Sequence, residues 1–181
     1  MPAYHDLHLQ RPELVARAKA LGWATAQTAV VVDVRNLKDI PRQSEALVIA
    51  EGANTELLRQ ACRRSSVSLI NAYRVPQFHR DDGLIRAVAD GKKAFEIPIF
   101  DLLHAQHVYR TRWLVQTRAL LARCIKLKAG YVFTSRAKEQ WDVKSPREVI
   151  AIGQTLGLTR EQADYSISAR AEQLQRQHKE G

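Results

Sequence analysis

Cysteine is nearly absent from this 181-residue sequence: Cys62 and Cys124 stand far apart, with no further Cys or His at metal-ligand spacing. That argues against a disulfide framework or a zinc site and leaves two buried free thiols. Glycine is also scarce, with eight in all, and no phosphate-cradling glycine loop, Ser nucleophile elbow or HExxH helix can be traced. No apolar run approaches the roughly 18 residues needed to cross a bilayer. The first residues, with Tyr4, His5 and Asp6, lack the basic-then-apolar pattern of a secretory leader. These absences predict a soluble, cytoplasmic protein with no membrane contact. Gly/Ser linkers, low-complexity tracts and solenoid repeats are missing too, which predicts one domain over residues 1–181, ending in a polar, frayed tail from about Gln173.

What the chain does have is a core and a charge. Hydrophobic residues make up 45% and charged residues 26%, enough to bury a sizeable interior. The formal net charge is +9, from 28 basic and 19 acidic side chains, which favours a polyanion: nucleic acid first, an anionic membrane surface second. The excess is uneven. Residues 109–147 hold ten basic residues against only Glu139 and Asp142, a net +8. On a helical projection Trp113, Leu114, Leu120, Leu121, Cys124, Ile125 and Leu127 share one broad arc. Arg112, Arg123 and Lys126 lie opposite, with Arg118 at the edge. One face is needed for the core, which disfavours a membrane-surface helix; the other is free for phosphates.

Short apolar runs alternate with stretches of helical spacing, the pattern of an α/β fold with a largely parallel sheet. Strands are predicted at Tyr4–Leu9, Thr28–Val34, Ala46–Ala50, Val67–Ile70, Ala94–Ile97 and Gly130–Thr134, with a further candidate at Tyr165–Ile167. Pro12 opens a helix that buries Leu14, Val15, Ala18 and Leu21 and ends at Gly22. Asn54 caps a second, burying Leu57, Leu58 and Ala61. Ser145, Pro146 and Glu148 form a capping box for a helix over Pro146–Leu156 closed by Gly157. Thr159 with Gln162 opens another, and Ser168 caps a last one running into the tail.

The order of segments resembles the archaeal RNase P protein component 3 family and its eukaryotic relatives. The resemblance covers most of the chain and is most specific from Ala94 to Leu158: "FEIPI", the Arg-rich "YRTRWLVQTRALLARCIKLKAG", "VFTSRA" and "VKSPREVIAIGQTLGL". "YHDLHLQ" and "ALVIAEGANTELLRQACRRSSVSLI" are similar in kind but less specific. The resemblance implies a TIM-like (β/α) barrel, small or partly abbreviated, since about 250 residues is typical of a closed one. It implies a subunit without a catalytic centre or cofactor of its own. That subunit would bind the RNase P RNA, pair with a small RRM-like protein subunit and meet precursor tRNA through a holoenzyme ribonuclease that removes 5′ leaders, with Mg²⁺ serving the holoenzyme RNA. Two departures stand out: Arg136 in "TSRA" occupies a usual Gly position, which demands a different backbone or an added phosphate contact, and Lys144 stands where Arg commonly precedes Ser-Pro.

A similar barrel architecture also serves PHP-class metal-dependent phosphoesterases, whose first strand carries Asp-Leu-His-x-His. Here the residues are Asp6, Leu7, His8, Leu9 and Gln10. Strand alternation sets Asp6, His8 and Gln10 on one face, so a single His would face a metal, and Gln10 replaces imidazole poorly. His104 and His107 share a helix-like spacing that could hold a ligand only with added carboxylates. His8 with Asp6 is therefore read as a hydrogen-bonded pair and Glu96 as a satisfied interior carboxylate. The residues expected to meet RNA are Arg112, Arg118, Arg136, Lys138, Lys144 and Arg147, the last four beside a strand end and a helix N-terminus whose free amides attract phosphate. Arg74 and Arg80 in the loop after Val67–Ile70 are added to them. Trp141 can either stack on an unpaired base or pack against the fold. Arg63 and Arg64 are read as complements to a helix dipole.

Overall fold

The computed structural model describes residues 2–180; Gly181, the end of the expected tail, lies outside them, as does the side chain of Glu180. Strands are β1 (His5–Leu9), β2 (Thr25–Thr28), β3 (Val30–Asp33), β4 (Val48–Glu51), β5 (Val67–Asn71), β6 (Ala94–Pro98) and β7 (Gly130–Thr134). Helices are α1 (Val15–Ala20), α2 (Thr55–Ala61), α3 (Asp82–Asp90), α4 (Ile99–His104), α5 (His107–Leu127), α6 (Pro146–Thr155), α7 (Arg160–Ile167) and α8 (Ala169–Glu180). Every strand pairing is parallel: β1 with β2, and β3 through β7 in chain order. Past the end of β7 the Arg136 amide donates to the His8 carbonyl at 2.8 Å and the Gln10 amide to the Ala137 carbonyl at 3.0 Å, joining the two sheets into a barrel-like ring.

The ring is abbreviated where the sequence runs short. The strand expected at Thr28–Val34 is two segments divided at Ala29, β2 bonding to β1 and β3 to β4, because one stretch of chain must serve two neighbours. Between β3 and β4 the chain makes only a short 3₁₀ turn at Leu37–Asp39 in place of a covering helix, and Val30 and Val31 stay 42% and 39% exposed.

Alternation sorts the strand residues into two cores. Leu7, Leu47, Ile49, Leu69, Ala94 and Val132 point into the ring. Leu9, Val48, Ala50, Ile70, Phe95, Ile97 and Phe133 point outward to the helices, where Leu58, Leu84, Ile85, Leu120, Leu121 and Val149 cover them. Burial of one such aliphatic side chain stabilises by about 1.5–3 kcal/mol. A register shift between Asp6 and Leu9 breaks strict alternation in β1, so Leu7 lies inside and Leu9 outside, contrary to the shared face that simple periodicity predicts.

Helix signals read from sequence hold at their ends. Asn54 Oδ1 accepts from the Glu56 and Leu57 amides, the Ser145/Glu148 and Thr159/Gln162 boxes both close, and Gly22 and Gly157 adopt φ of 102° and 95° just past α1 and α6. The candidate strand at Tyr165–Ile167 is instead the end of α7, since Ala163, Ser166 and Ile167 share its buried face. Ser168 does not cap α8 with its side chain; its hydroxyl turns back to the Asp164 carbonyl at 2.7 Å. Nor does α8 dissolve into a tail at Gln173. Ala171 and Leu174, 0% and 1% exposed, insert into the inner core and stop one end of the ring.

Candidate nucleic-acid interface and barrel mouth

The C-terminal ends of the strands form the mouth of the ring, where barrels of this kind carry their functional groups. Here the mouth is polar and its members bond to one another. Glu96 on β6 accepts from Asn71 Nδ2 on β5 at 2.8 Å and from Thr134 Oγ1 on β7 at 2.9 Å, and lies 2.6 Å from His8 Nδ1 on β1. Burial pushes the Glu96 carboxyl up, but the hydrogen bonds of His8 and Asn71 and the nearby Arg136 charge outweigh it and hold the group below its ordinary range. His8 therefore pairs through its ring with Glu96, not with Asp6. Asp6, fully buried, instead accepts the backbone amides of His8 and Ser135 with Oδ1, both at 3.2 Å, and its Oδ2 has no partner. Burial raises its pKa to about 6, against the lowering pull of those bonds.

Arg136 enters this mouth. Its backbone sits at φ 48°, the left-handed region that glycine adopts freely, and its guanidinium, largely covered, meets Glu51 at 2.9 Å and Asp101 at 3.7 Å. Where the resemblance puts a usual glycine, Arg136 thus keeps a left-handed backbone and turns its guanidinium, 18% exposed, to carboxylate partners. Burial opposes its charge, while Glu96, Glu51 and Asp101 sustain it. No group of three or more His, Cys, Asp or Glu side chains placed to hold a metal ion occurs among the described residues. His104 and His107 do not share a helix: the chain breaks between α4 and α5, and His104 Nε2 lies 2.7 Å from Asp142 Oδ1.

The remaining basic residues fall into three places. Arg112, on the exposed side of α5, pairs with no carboxylate among the described residues and lines one cavity together with Arg74, whose guanidinium also meets Asp33 at 2.9 Å. Arg80, exposed in the 3₁₀ turn Phe78–Arg80, lies in the segment packed on α5. Arg118 points the other way and donates to the Thr155 carbonyl at the end of α6, at 2.8 Å. Lys138, Trp141 and Lys144 gather on the loop from β7 to α6, with Arg147 in the first turn of α6, and Asp142 braces that loop by accepting the Lys138 and Glu139 amides. Lys138 stands 4.7 Å from the centre of the Phe100 ring, Lys144 Nζ donates to the Trp141 carbonyl, and Trp141 is 70% exposed, so it does not pack against the fold.

Two sequence-based details change. The start of α6 offers phosphate fewer amides than expected, because Ser145 N donates to Glu148 at 2.8 Å, Glu148 N donates to Ser145 and Pro146 has none to offer. On α5 the buried set is Trp113, Thr117, Leu120, Leu121 and Cys124, while Ile125 is 42% exposed. Thr117 was missed because a hydroxyl carries no apolar signal; its Oγ1 is hydrogen-bonded with the Tyr73 hydroxyl at 2.9 Å. Cys62 and Cys124 are buried free thiols whose pKa burial pushes up to about 12.

The sequence model of the RNase P subunit p30 family matches residues 10–180. The chain belongs to the RNase P subunit p30 family. Among proteins similar to it is Ribonuclease P protein component 3 of Methanothermobacter thermautotrophicus, 26% identical over 141 residues, 76% of this chain and 57% of the relative. The component 3 protein of Methanosarcina barkeri is 28% identical over 137 residues, 74% and 56% of the two chains. This chain thus spans little more than half the length of the curated relatives it matches. A chain in the cryo-EM structure of archaeal Ribonuclease P with mature tRNA superposes with a TM-score of 0.65 at 18% identity, over 97% of this chain and 78% of that one. The family match runs to residue 180 and so includes α8, the part read from sequence as a tail, and among the described residues no helix is long and apolar enough to cross a membrane.

Proposed function

We propose that this p30-family chain is a protein subunit of ribonuclease P, which binds the catalytic RNA in the cytoplasm and supports removal of 5′ leaders from precursor tRNA. The observation that carries this reading is the family match together with α5, a 21-residue helix whose 107–127 sequence contains no Asp or Glu. Of its five basic side chains only Arg123 pairs with a carboxylate among the described residues, that of Asp82, which leaves four charges on this helix for a polyanion. In this reading Arg112, Lys138, Lys144 and Arg147 meet phosphates, Arg74, Arg80 and Arg118 add to the field, and Trp141 stacks on an unpaired base. Arg136 holds the barrel mouth instead. The reacting groups belong to the RNA with its Mg²⁺, and an RRM-like protein subunit is the companion in the particle. The polar mouth supports the supporting role, because its carboxylates and His8 bond to one another around an Arg.

Reconstitution tests it. RNase P RNA should bind the chain with an affinity that falls steeply with salt, by about 10³-fold or more between 50 and 200 mM if six or more phosphates are met. Changing Arg112, Lys138, Lys144 and Arg147 to Ala should flatten that dependence by roughly one unit of slope per lost contact and reduce stimulation of precursor-tRNA cleavage, with an unchanged circular dichroism spectrum. Salt-insensitive binding, or full cleavage by the fourfold variant, would refute it.

A further inference from the structure

The loop from β7 to α6 is tied down at both ends. Near its start the Phe100 amide donates to the Ser135 carbonyl at 3.1 Å, and near its close the Trp23 indole N–H donates to the Lys144 carbonyl at 2.8 Å. Between these ties stand Lys138 and Trp141. The stretch that carries them is folded on Asp142, whose Oδ2 accepts the Lys138 and Glu139 amides at 3.2 and 2.9 Å. Those bonds are internal to the loop and give it a shape without giving it a place. Its place comes from α4. The second carboxylate oxygen, Oδ1, lies 2.7 Å from His104 Nε2, and the Asp142 side chain is only 3% exposed, so that oxygen needs a partner. His104 is itself held. Its ring stacks on Phe100 with centres 4.1 Å apart, and Arg110 donates to the Leu103 and Ala105 carbonyls at 3.1 and 2.9 Å, closing the end of α4. Two further holds on the loop are weaker: the Lys138 ammonium over the Phe100 ring, and the 3.6 Å ion pair between the exposed Arg11 and Glu139.

We infer that His104 is a positioning residue for RNA binding, which acts through Asp142 to hold the β7–α6 loop so that Lys138, Trp141 and Lys144 meet the RNA together. This rests on the RNA-binding reading above and adds to it a residue whose part is not a phosphate contact. Lysines and an indole on an untethered loop each lose freedom on binding, whereas a loop already held against α4 has little left to lose, so the tether acts on affinity. Lys144 follows the loop as well, because its Nζ donates to the Trp141 carbonyl. The imidazole serves both ends of the tether: its face fixes it to α4 and its Nε2 fixes the loop to it.

The test measures binding of RNase P RNA by the full chain and by two variants that separate the ring from the bond. His104→Phe keeps the stack on Phe100 and removes the donor. His104→Gln gives up the ring, while its amide can still donate to Asp142. His104→Phe should weaken binding about tenfold and lower the slope of affinity against salt by roughly one to two units, as the loop lysines leave their phosphates. His104→Gln should bind as the parent does. In a chain already carrying Lys138→Ala, Trp141→Ala and Lys144→Ala, where Arg112 and Arg147 remain to bind, His104→Phe should change nothing further, an outcome that a general loss of stability would not produce. If the parent binds steeply with salt and His104→Phe matches it, or His104→Gln is as weak as His104→Phe, the positioning role is wrong while the RNA-binding reading stands. An equal loss from His104→Phe in the triple variant overturns it too. If the parent does not bind the RNA, both fall.

Discussion

Replacing Asp6 by Asn should stabilise the protein at neutral pH and do so progressively less as the pH falls. Asp6 is fully buried, and its folded-state pKa is raised from 3.8 to about 6. The sign is the reverse of the usual carboxylate. Because the folded form holds this proton more tightly than the unfolded chain, its favourable contribution is complete below about pH 4 and is lost as the pH climbs through 6. A shift of about two units at 1.36 kcal/mol each leaves the ionised group costing roughly 3 kcal/mol at pH 8. At pH 5, between the two pKa values, about half of that cost is already present. Asn keeps an Oδ1 able to accept the His8 and Ser135 amides and carries no charge to bury. Urea unfolding of Asp6→Asn and the parent at pH 5 and pH 8 should therefore show a gap that widens by roughly 1.4 kcal/mol with pH, other groups cancelling between the two proteins. A gap independent of pH, or one that narrows toward pH 8, would refute the assignment of Asp6 as a desolvated carboxylate.

Leu174→Ala should cost about 2–5 kcal/mol in the same assay, because Leu174 is 1% exposed in the inner core; a loss below about 0.5 kcal/mol would mean that α8 does not stop the ring. Gly153→Ala should destabilise by about 1–3 kcal/mol, since a Cβ there would lie 2.7 Å from the Ala163 Cβ and force α6 and α7 apart; a neutral or stabilising effect, as helix propensity alone would give, would show that these helices are not in close contact.

Much of the scaffold was legible in local signals. The capping boxes at Ser145 and Thr159, the Asn54 cap and the apolar runs at β5 to β7 depend on neighbouring residues, and their elements begin where those residues stand, whereas β4 starts at Val48, two residues into the run expected from Ala46. Helix α3 is not among the elements read from the sequence, although Asp81, whose side chain accepts from the Leu84 amide, followed by Leu84, Ile85 and Val88 is a signal that could have found it. The +8 of residues 109–147 was readable as well, because charge is additive along a chain.

What composition and spacing could not supply is where side chains from distant strands meet. Sequence determined an α/β ring with one carboxylate-poor basic helix. Tertiary structure decided that Arg136 turns to Glu51, 85 positions away, instead of to solvent, that His8 bonds Glu96 instead of Asp6, and that Leu174 fills the ring instead of trailing in a tail. The reason is physical. An unpaired charge or polar group in a low-dielectric interior costs more than local preference can offset, so partners are chosen by closure of the ring and not by proximity in sequence.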